Sequence, residues 1–194
     1  PGFSAPTVTP WHQELVFENI APAKASGAKA ICMDIDASGL PFLKAMTPPS
    51  GPKTVEELKE FIDYACMPFI LKGIMTVKGA EKAMVAGASA IIVSNHGGRV
   101  LDHTPASASV LPAIAEAVNG RIPVLVDGGI RTGYDVFKAI GLGADAVLIG
   151  RPFVTTVYGA GVEGPAIYVN KLKNELRDAM EMCGCATLKD ITKD

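Results

Sequence analysis

Short apolar runs rich in β-branched residues recur along the chain and are separated by longer stretches of mixed polarity. Three of these runs follow a Gly-Ala pair, in residues 27–34, 87–94 and 143–150, and they form an internal repeat. Two others, in residues 67–73 and 122–128, open with an X-Pro pair and end in glycine. Because the runs are short and lack alternation, they predict five buried strands of a parallel sheet.

The stretches between the runs carry helix start signals. Thr54 followed by Glu57 forms a predicted capping box, and Thr132 followed by Asp135 places an acidic residue in a first helical turn. The last helix is predicted from about residue 165 to residue 183. Strands that alternate with helices predict a parallel α/β architecture.

Polar residues stand at the C-terminal end of every predicted strand. A doubly wound sheet also fits the order, but these ends favour a (β/α)8 TIM barrel, in which they build the active site. Five units are fewer than eight, so we expect residues 1–194 to be the C-terminal portion of one barrel domain, with about strands four to eight. Residues 1–10 contain three prolines and predict an irregular arm. The strand-end residues are Asp34, Asp36, Lys72, Ser94, His96, Asp127 and Arg151.

Composition narrows the function classes. The chain has 194 residues, of which 48% are hydrophobic and 20% charged, which suits an ordinary globular core. A net charge of −2 argues against a general nucleic-acid or membrane-surface binder, and no apolar run approaches the length of a membrane span. The four cysteines lack a second metal-type pair, so we expect reduced thiols, no metal site and a cytoplasmic protein.

The sequence Ser-Asn-His-Gly-Gly-Arg, residues 94–99, directly follows one apolar run. His96 is a side chain that accepts a proton near neutral pH, and the Arg99 guanidinium can bind a carboxylate through two hydrogen bonds. Together they suit proton abstraction from an anionic substrate. The alternative is a structural histidine at a strand end.

Two Gly-Arg turns close the last two predicted strands. If these are barrel strands seven and eight, the turns lie where barrels commonly bind phosphate, with backbone N–H groups and a helix N-terminus facing the anion. The alternative is a pair of tight turns with exposed arginines. Lys72 either neutralises an anion in the barrel mouth or extends to solvent. The residues of the two turns are Asp127, Gly128, Gly129, Arg131, Gly150 and Arg151.

Residues 94–99, with the Leu-Asp and Pro-Ala pairs at 101–102 and 105–106, closely resemble the signature of the FMN-dependent 2-hydroxy-acid oxidases and dehydrogenases. That family includes glycolate oxidase, lactate oxidase and the flavin domain of flavocytochrome b2. The resemblance runs from about Gly27 to the C-terminus. It implies an FMN-binding barrel that oxidises a small L-2-hydroxy acid to the 2-oxo acid.

The resemblance also implies residue roles. His96 would be the catalytic base, Asp36 the acid that pairs with it, and Arg99 the ligand of the substrate carboxylate. Lys72 would lie beside the flavin N1 and C2 carbonyl edge and stabilise the anionic reduced ring, and Ser94 would also contact the flavin. The region of the ribityl phosphate would be held by Asp127, Gly128, Gly129, Arg131, Gly150 and Arg151.

The chain departs from the family pattern near its second acid. Asp34 stands where the family usually has threonine, and the segment after Asp36 lacks the family's arginines. Two other functions stay open: another FMN-barrel enzyme such as an isomerase, or an inactive barrel fragment that binds a phosphate ligand or a partner subunit. The chain starts at proline and lacks the early strands, so we expect it to form a homo-oligomer or to pair with the missing N-terminal half of the barrel.

Overall fold

A computed structural model describes residues 4–193 as one parallel sheet with helices between its strands. The six strands are paired in sequence order, and every neighbouring pair is parallel. The strands are β1 (Thr7–Val8), β2 (Ile31–Asp34), β3 (Phe69–Ile74), β4 (Ala90–Val93), β5 (Val124–Asp127) and β6 (Ala146–Leu148). The helices are α1 (Gln13–Ala25), α2 (Pro41–Lys44), α3 (Val55–Ala65), α4 (Val77–Ala86), α5 (Ser107–Val118), α6 (Gly133–Gly141), α7 (Arg151–Ala160) and α8 (Gly164–Met182).

The core lies between the sheet and the helices. All four residues of β4 are buried, as expected for a strand covered on both faces. Phe61 of α3 and Phe69 of β3 have no exposed surface, and neither do Ile91 of β4 and Ile114 of α5. The predicted parallel α/β architecture and its five strands are therefore confirmed.

One strand was missed by the sequence prediction. Thr7 and Val8 pair with Cys32 and Met33 of β2, so the sheet has six strands where we predicted five. The irregular arm predicted for residues 1–10 is wrong at these two positions, and residues 1–3 lie outside the described part. Two β-branched residues between Pro6 and Pro10 form a strand that the prolines keep short and confine to the sheet edge.

The helix starts agree with their signals at two places. Thr54 and Glu57 form a reciprocal capping box at α3, and Thr132 and Asp135 form another at α6. Helix α7 was not predicted, because its four β-branched residues and Gly159 disfavour a helix. Within residues 4–193 there is no helix long and apolar enough to cross a membrane.

The four cysteines are all free thiols. Cys32 is buried on β2, and burial together with the negative charge of Asp34 raises its pKa to about 11. That thiol therefore stays protonated and unreactive near neutral pH.

The segment after β2 is anchored by apolar packing. Leu40 and Leu43 are buried with Ala37 in a small apolar cluster, against which Trp11 and Val100 pack. Because Val100 belongs to the loop after β4, this contact ties the two loops together above the sheet.

Helices α6 and α8 pack closely at the far end of the sheet. The Gly133 amide donates a hydrogen bond to Glu175 Oε2 at 2.8 Å, and the Tyr168 hydroxyl donates to the Arg131 carbonyl oxygen at 2.8 Å. A Cβ atom at Gly133 would overlap the Leu172 carbonyl oxygen and the Leu176 amide nitrogen. The approach of the two helices thus depends on a residue without a side chain.

We expect Gly133→Ala to lower the free energy of unfolding by about 1–3 kcal/mol, because overpacking forces the backbones apart. Gly159→Ala is the matched control, since nothing lies within 4 Å of a Cβ at that helical position. The control is expected to be neutral or more stable by up to about 1 kcal/mol. Chemical denaturation of both variants measures the difference, and equal stabilities would contradict the packing at Gly133.

Candidate active site

The C-terminal ends of the strands bring charged side chains together. Asp34 at the end of β2 lies directly opposite Lys72 of β3 in the sheet register, so both side chains point to the same face. The Lys72 Nζ atom lies 3.0 Å from Asp34 Oδ1, 3.9 Å from Asp36 Oδ1 and 3.8 Å from Asp127 Oδ2. One ammonium group therefore lies near three carboxyl groups, two from the end of β2 and the turn after it and one from the end of β5.

A bulge in β3 makes room for Asp36. The register between β3 and β4 shifts between Lys72 and Ile74, and Gly73 between them has a φ of +102°. A Cβ at Gly73 would lie 2.7 Å from the Asp36 Cβ, closer than any side chain tolerates. Gly73 thus allows both the backbone conformation and the approach of Asp36 to the cluster.

His96 sits in a tight turn of left-handed residues after β4. Its φ is +57°, which is uncommon for a residue with a side chain, and Gly97 follows with a φ of +67°. The fully buried Ser94 accepts a hydrogen bond from the His96 amide at 3.1 Å. The turn places His96 Nδ1 3.3 Å from Asp36 Oδ1 and 3.5 Å from Asp34 Oδ2.

The two aspartates beside His96 differ in pKa. Burial, followed by the hydrogen bond with Asp34, raises the pKa of Asp36 to about 8. Burial opposes the charged form of Asp34 as well, but its hydrogen bonds with Asp36 and Lys72 and the charge of Lys72 outweigh burial and lower its pKa. At neutral pH Asp34 is therefore ionised and Asp36 holds a proton.

His96 is neutral at physiological pH. Burial and then the positive charge of Lys72 lower its pKa, while the negative charge of Asp34 opposes this shift. A neutral imidazole with one nitrogen held by a carboxyl group leaves the other nitrogen able to accept a proton.

Three arginines surround this end of the sheet without an acidic partner among residues 4–193. The Arg99 Nε atom donates to the His96 carbonyl oxygen at 3.3 Å, which holds the exposed Arg99 side chain against the turn that carries His96. The Arg151 guanidinium lies against Gly97, where a Cβ would come within 2.8 Å of Nη2. Arg131 Nη1 lies 3.5 Å from the Gly129 carbonyl oxygen.

The glycine turns leave open space beside these arginines. Nothing lies within 4 Å of a Cβ built at Gly129 or at Gly150. Helix α7 begins directly after Gly150 and has no side-chain cap, so its first N–H groups lack that partner. Such a helix start attracts an anion.

Most predicted site residues therefore meet at one edge of the sheet. Lys72, Asp36, Asp127 and His96 share direct contacts, whereas Ser94 is buried beneath the turn and bonds to the backbone of His96. The contacts of Ser94, Gly128, Arg131 and the other residues with a flavin stay predictions.

Two supporting residues were missed from the sequence. The Asn95 side chain donates to the Pro105 carbonyl oxygen at 3.2 Å and accepts from the Gly98 amide at 3.2 Å, which closes the loop after β4. The Ser107 hydroxyl donates to the Asp127 carbonyl oxygen at 2.5 Å. Asn95 lies inside the recognised motif, whereas Ser107 belongs to no motif that the sequence analysis identified.

Asp34, Asp36 and His96 also bring possible metal ligand atoms within 4.8 Å of one another. The Lys72 ammonium, 3.0 Å from Asp34, already supplies a positive charge to this cluster. A divalent cation would have to displace that ammonium, so we assign the cluster as an ion-pair network.

The chain is similar to solved structures and to sequence relatives of one kind. A mandelate oxidase variant with a monooxide FMN adduct has a TM-score of 0.84 and 36% identity, over 96% of this chain and 61% of that one. The peroxisomal (S)-2-hydroxyacid oxidase GLO3 of Arabidopsis thaliana is 42% identical over 175 residues, which are 90% of this chain and 45% of that protein. An L-lactate oxidase of Roseobacter sp. is 48% identical over 141 residues, 73% of this chain and 38% of that protein.

The coverage shows that the chain spans less than half the length of these two curated relatives. The sheet accordingly corresponds to an incomplete TIM barrel, as predicted. The profile of the FMN-dependent dehydrogenases matches residues 42–194. This chain belongs to the FMN-dependent dehydrogenase family.

Proposed function

We propose that the chain carries the catalytic part of an enzyme that oxidises an L-2-hydroxy acid to the 2-oxo acid with FMN as electron acceptor. The observation that carries the proposal is the arrangement at His96. One ring nitrogen lies 3.3 Å from Asp36, and Arg99 leaves the same turn beside it. A base oriented by an acid, next to a carboxylate-binding arginine, suits a substrate with a carboxylate beside a C–H bond.

The residues at the far strand ends fit a flavin mononucleotide. The open turns at Gly129 and Gly150, the uncapped start of α7 and the Arg131 and Arg151 guanidinium groups suit a phosphate. Asp127 Oδ1 is buried and lacks a partner among the described residues, so it is available to a hydroxyl donor. Phosphate-binding groups at adjacent strand ends match the usual place in barrels.

Bound FMN supplies the two-electron acceptor chemistry that no side chain provides. Arg99 binds the substrate carboxylate and fixes the α-carbon beside His96. His96 accepts a proton at Nε2, while its Nδ1–H is held by Asp36. Lys72 contributes positive charge beside the ring.

The substrate is proposed to be a small 2-hydroxy acid of the lactate or glycolate kind. The names of the relatives support this, since they act on 2-hydroxy acids and L-lactate. In the segment after Asp36, residues 37–41 contain no basic side chain, so Arg99 is the carboxylate ligand we assign.

We expect His96→Asn to slow reduction of bound flavin by an L-2-hydroxy acid by about 10²- to 10⁴-fold, because the variant lacks a base. The control is His103→Asn, which changes a histidine that is 94% exposed and 3.8 Å from Asp102. Anaerobic stopped-flow spectroscopy of the flavin band measures both rates. A fast reduction in the His96 variant would remove His96 as the base.

We expect replacement of both Arg131 and Arg151 by alanine to raise the dissociation constant for FMN about 10²- to 10⁴-fold. Each loses a charge-assisted hydrogen bond to the phosphate, which contributes about 1.5–3 kcal/mol. Arg177→Ala on α8 is the control for the loss of an exposed arginine.

Flavin fluorescence during titration with FMN gives the affinities, and thermal unfolding without FMN shows whether the fold is unchanged. Equal affinities in the double variant and the control would leave Arg131 and Arg151 as surface arginines only. Visible absorption of the purified chain separates a flavoprotein from an inert barrel fragment.

A further inference from the structure

Asp34 touches both functional side chains of the proposed reaction. Its Oδ1 accepts a hydrogen bond from Lys72 Nζ at 3.0 Å, and its Oδ2 lies 3.5 Å from His96 Nδ1. It is the nearest of the three acids to Lys72, and it competes with Asp36 for the same imidazole nitrogen. A neutral side chain at this position would leave that nitrogen to Asp36 alone.

We propose that Asp34 is a positioning residue that acts through Asp36: the two carboxyl groups hold one proton between them, and Asp36 becomes a full acceptor for His96 only after that proton leaves. The inference rests on the proposed function, in which His96 is the base. Asp34 thereby determines when Asp36 can orient His96 and stabilise the positive charge of its imidazolium.

The charges around Asp36 explain why Asp36, and not Asp34, keeps the proton. Lys72 is 3.0 Å from Asp34 but 3.9 Å from Asp36, so its charge stabilises the Asp34 carboxylate more. Asp127 also interacts with the Lys72 ammonium, at 3.8 Å, and its negative charge raises the pKa of Asp36. The neutral His96 on the remaining side offers no compensating charge.

The burial of Asp36 points the same way. Its Oδ2 is buried and lacks a hydrogen-bond partner among the described residues. An ionised carboxylate with one oxygen in that position is costly, whereas the carboxylic acid needs less solvation. Carboxylate oxygens of Asp34 and Asp36 and a ring nitrogen of His96 lie within 4.8 Å of one another, close enough for one proton to affect all three groups.

The consequence is a pH dependence with a defined sign. Below a pH of about 8 Asp36 is mainly protonated, so of the two aspartates only the Asp34 carboxylate, 3.5 Å from Nδ1, stabilises the imidazolium that forms when His96 takes up a proton. Above that pH the Asp36 carboxylate accepts the Nδ1–H bond and favours the imidazolium. The rate of flavin reduction should therefore rise as the pH increases through the titration of Asp36.

The test follows the carboxyl carbon of Asp36 by NMR during a pH titration of the full chain, with Asp36→Asn to identify its signal. We expect a midpoint near pH 8 in the unaltered chain. In Asp34→Asn the midpoint should fall by at least one pH unit, a tenfold larger acid dissociation constant. Asp34→Ser is a second, smaller replacement that serves the same purpose if the asparagine variant does not fold.

Asp63→Asn, which changes an exposed aspartate on α3, is the matched control and should leave the midpoint unchanged. In the FMN-loaded chain the alkaline rise of flavin reduction should move to lower pH by the same amount in Asp34→Asn. An Asp36 midpoint in the ordinary acidic range, or one that Asp34→Asn does not move, would overturn the proposal. If no 2-hydroxy acid reduces the flavin of any variant, the proposed function fails, while the carboxyl titration still decides on the pair.

Discussion

The contact of one ammonium group with three carboxyl groups determines how this end of the sheet is arranged. Lys72 lies within 4 Å of acids from the ends of β2 and β5 and from the turn after β2. Three acids at partly buried positions would repel one another without it. The positive charge that we propose for the flavin ring is thus also the charge that holds the three carboxyl groups together, so both roles fall on the Lys72 side chain.

Backbone conformation makes this arrangement possible. The bulge at Gly73 gives Asp36 room beside Lys72, and the left-handed turn at His96 directs the imidazole back towards the same acids. The strain of a left-handed histidine is offset by the hydrogen bond from its amide to the buried Ser94. Part of the local backbone cost therefore falls where the proposed chemistry needs fixed side-chain positions.

Much of this was visible in the sequence. The apolar runs predicted β2 to β6, because buried parallel strands have a simple pattern, and the motif of residues 94–99 placed His96 and Arg99 together. The two-residue strand β1 was missed, since Thr7 and Val8 become a strand only through pairing with β2. A run of two residues carries no periodicity.

The contacts that Asp34 makes could not be predicted from the sequence. Asp34 and Asp36 are two positions apart, which could not show that Asp34 contacts Lys72 and His96 at once. That depends on the sheet register and on the bulge at Gly73, both of which arise from tertiary structure. The bond from the Ser107 hydroxyl to the Asp127 carbonyl oxygen likewise joins α5 to β5 and has no signal in the local sequence.

Acidic and basic side chains are unevenly distributed along the C-terminal edge of the sheet. The acids gather around Lys72 and His96, whereas Arg131 and Arg151 lie at the ends of the last two strands without acidic partners in the described chain. A cofactor with a phosphate dianion fits the arginines at the ends of the last two strands, and its ring would then lie towards Lys72. Asp34 adds a negative charge beside Lys72 and His96, so the effect that we propose for Asp34 is on proton transfer at His96.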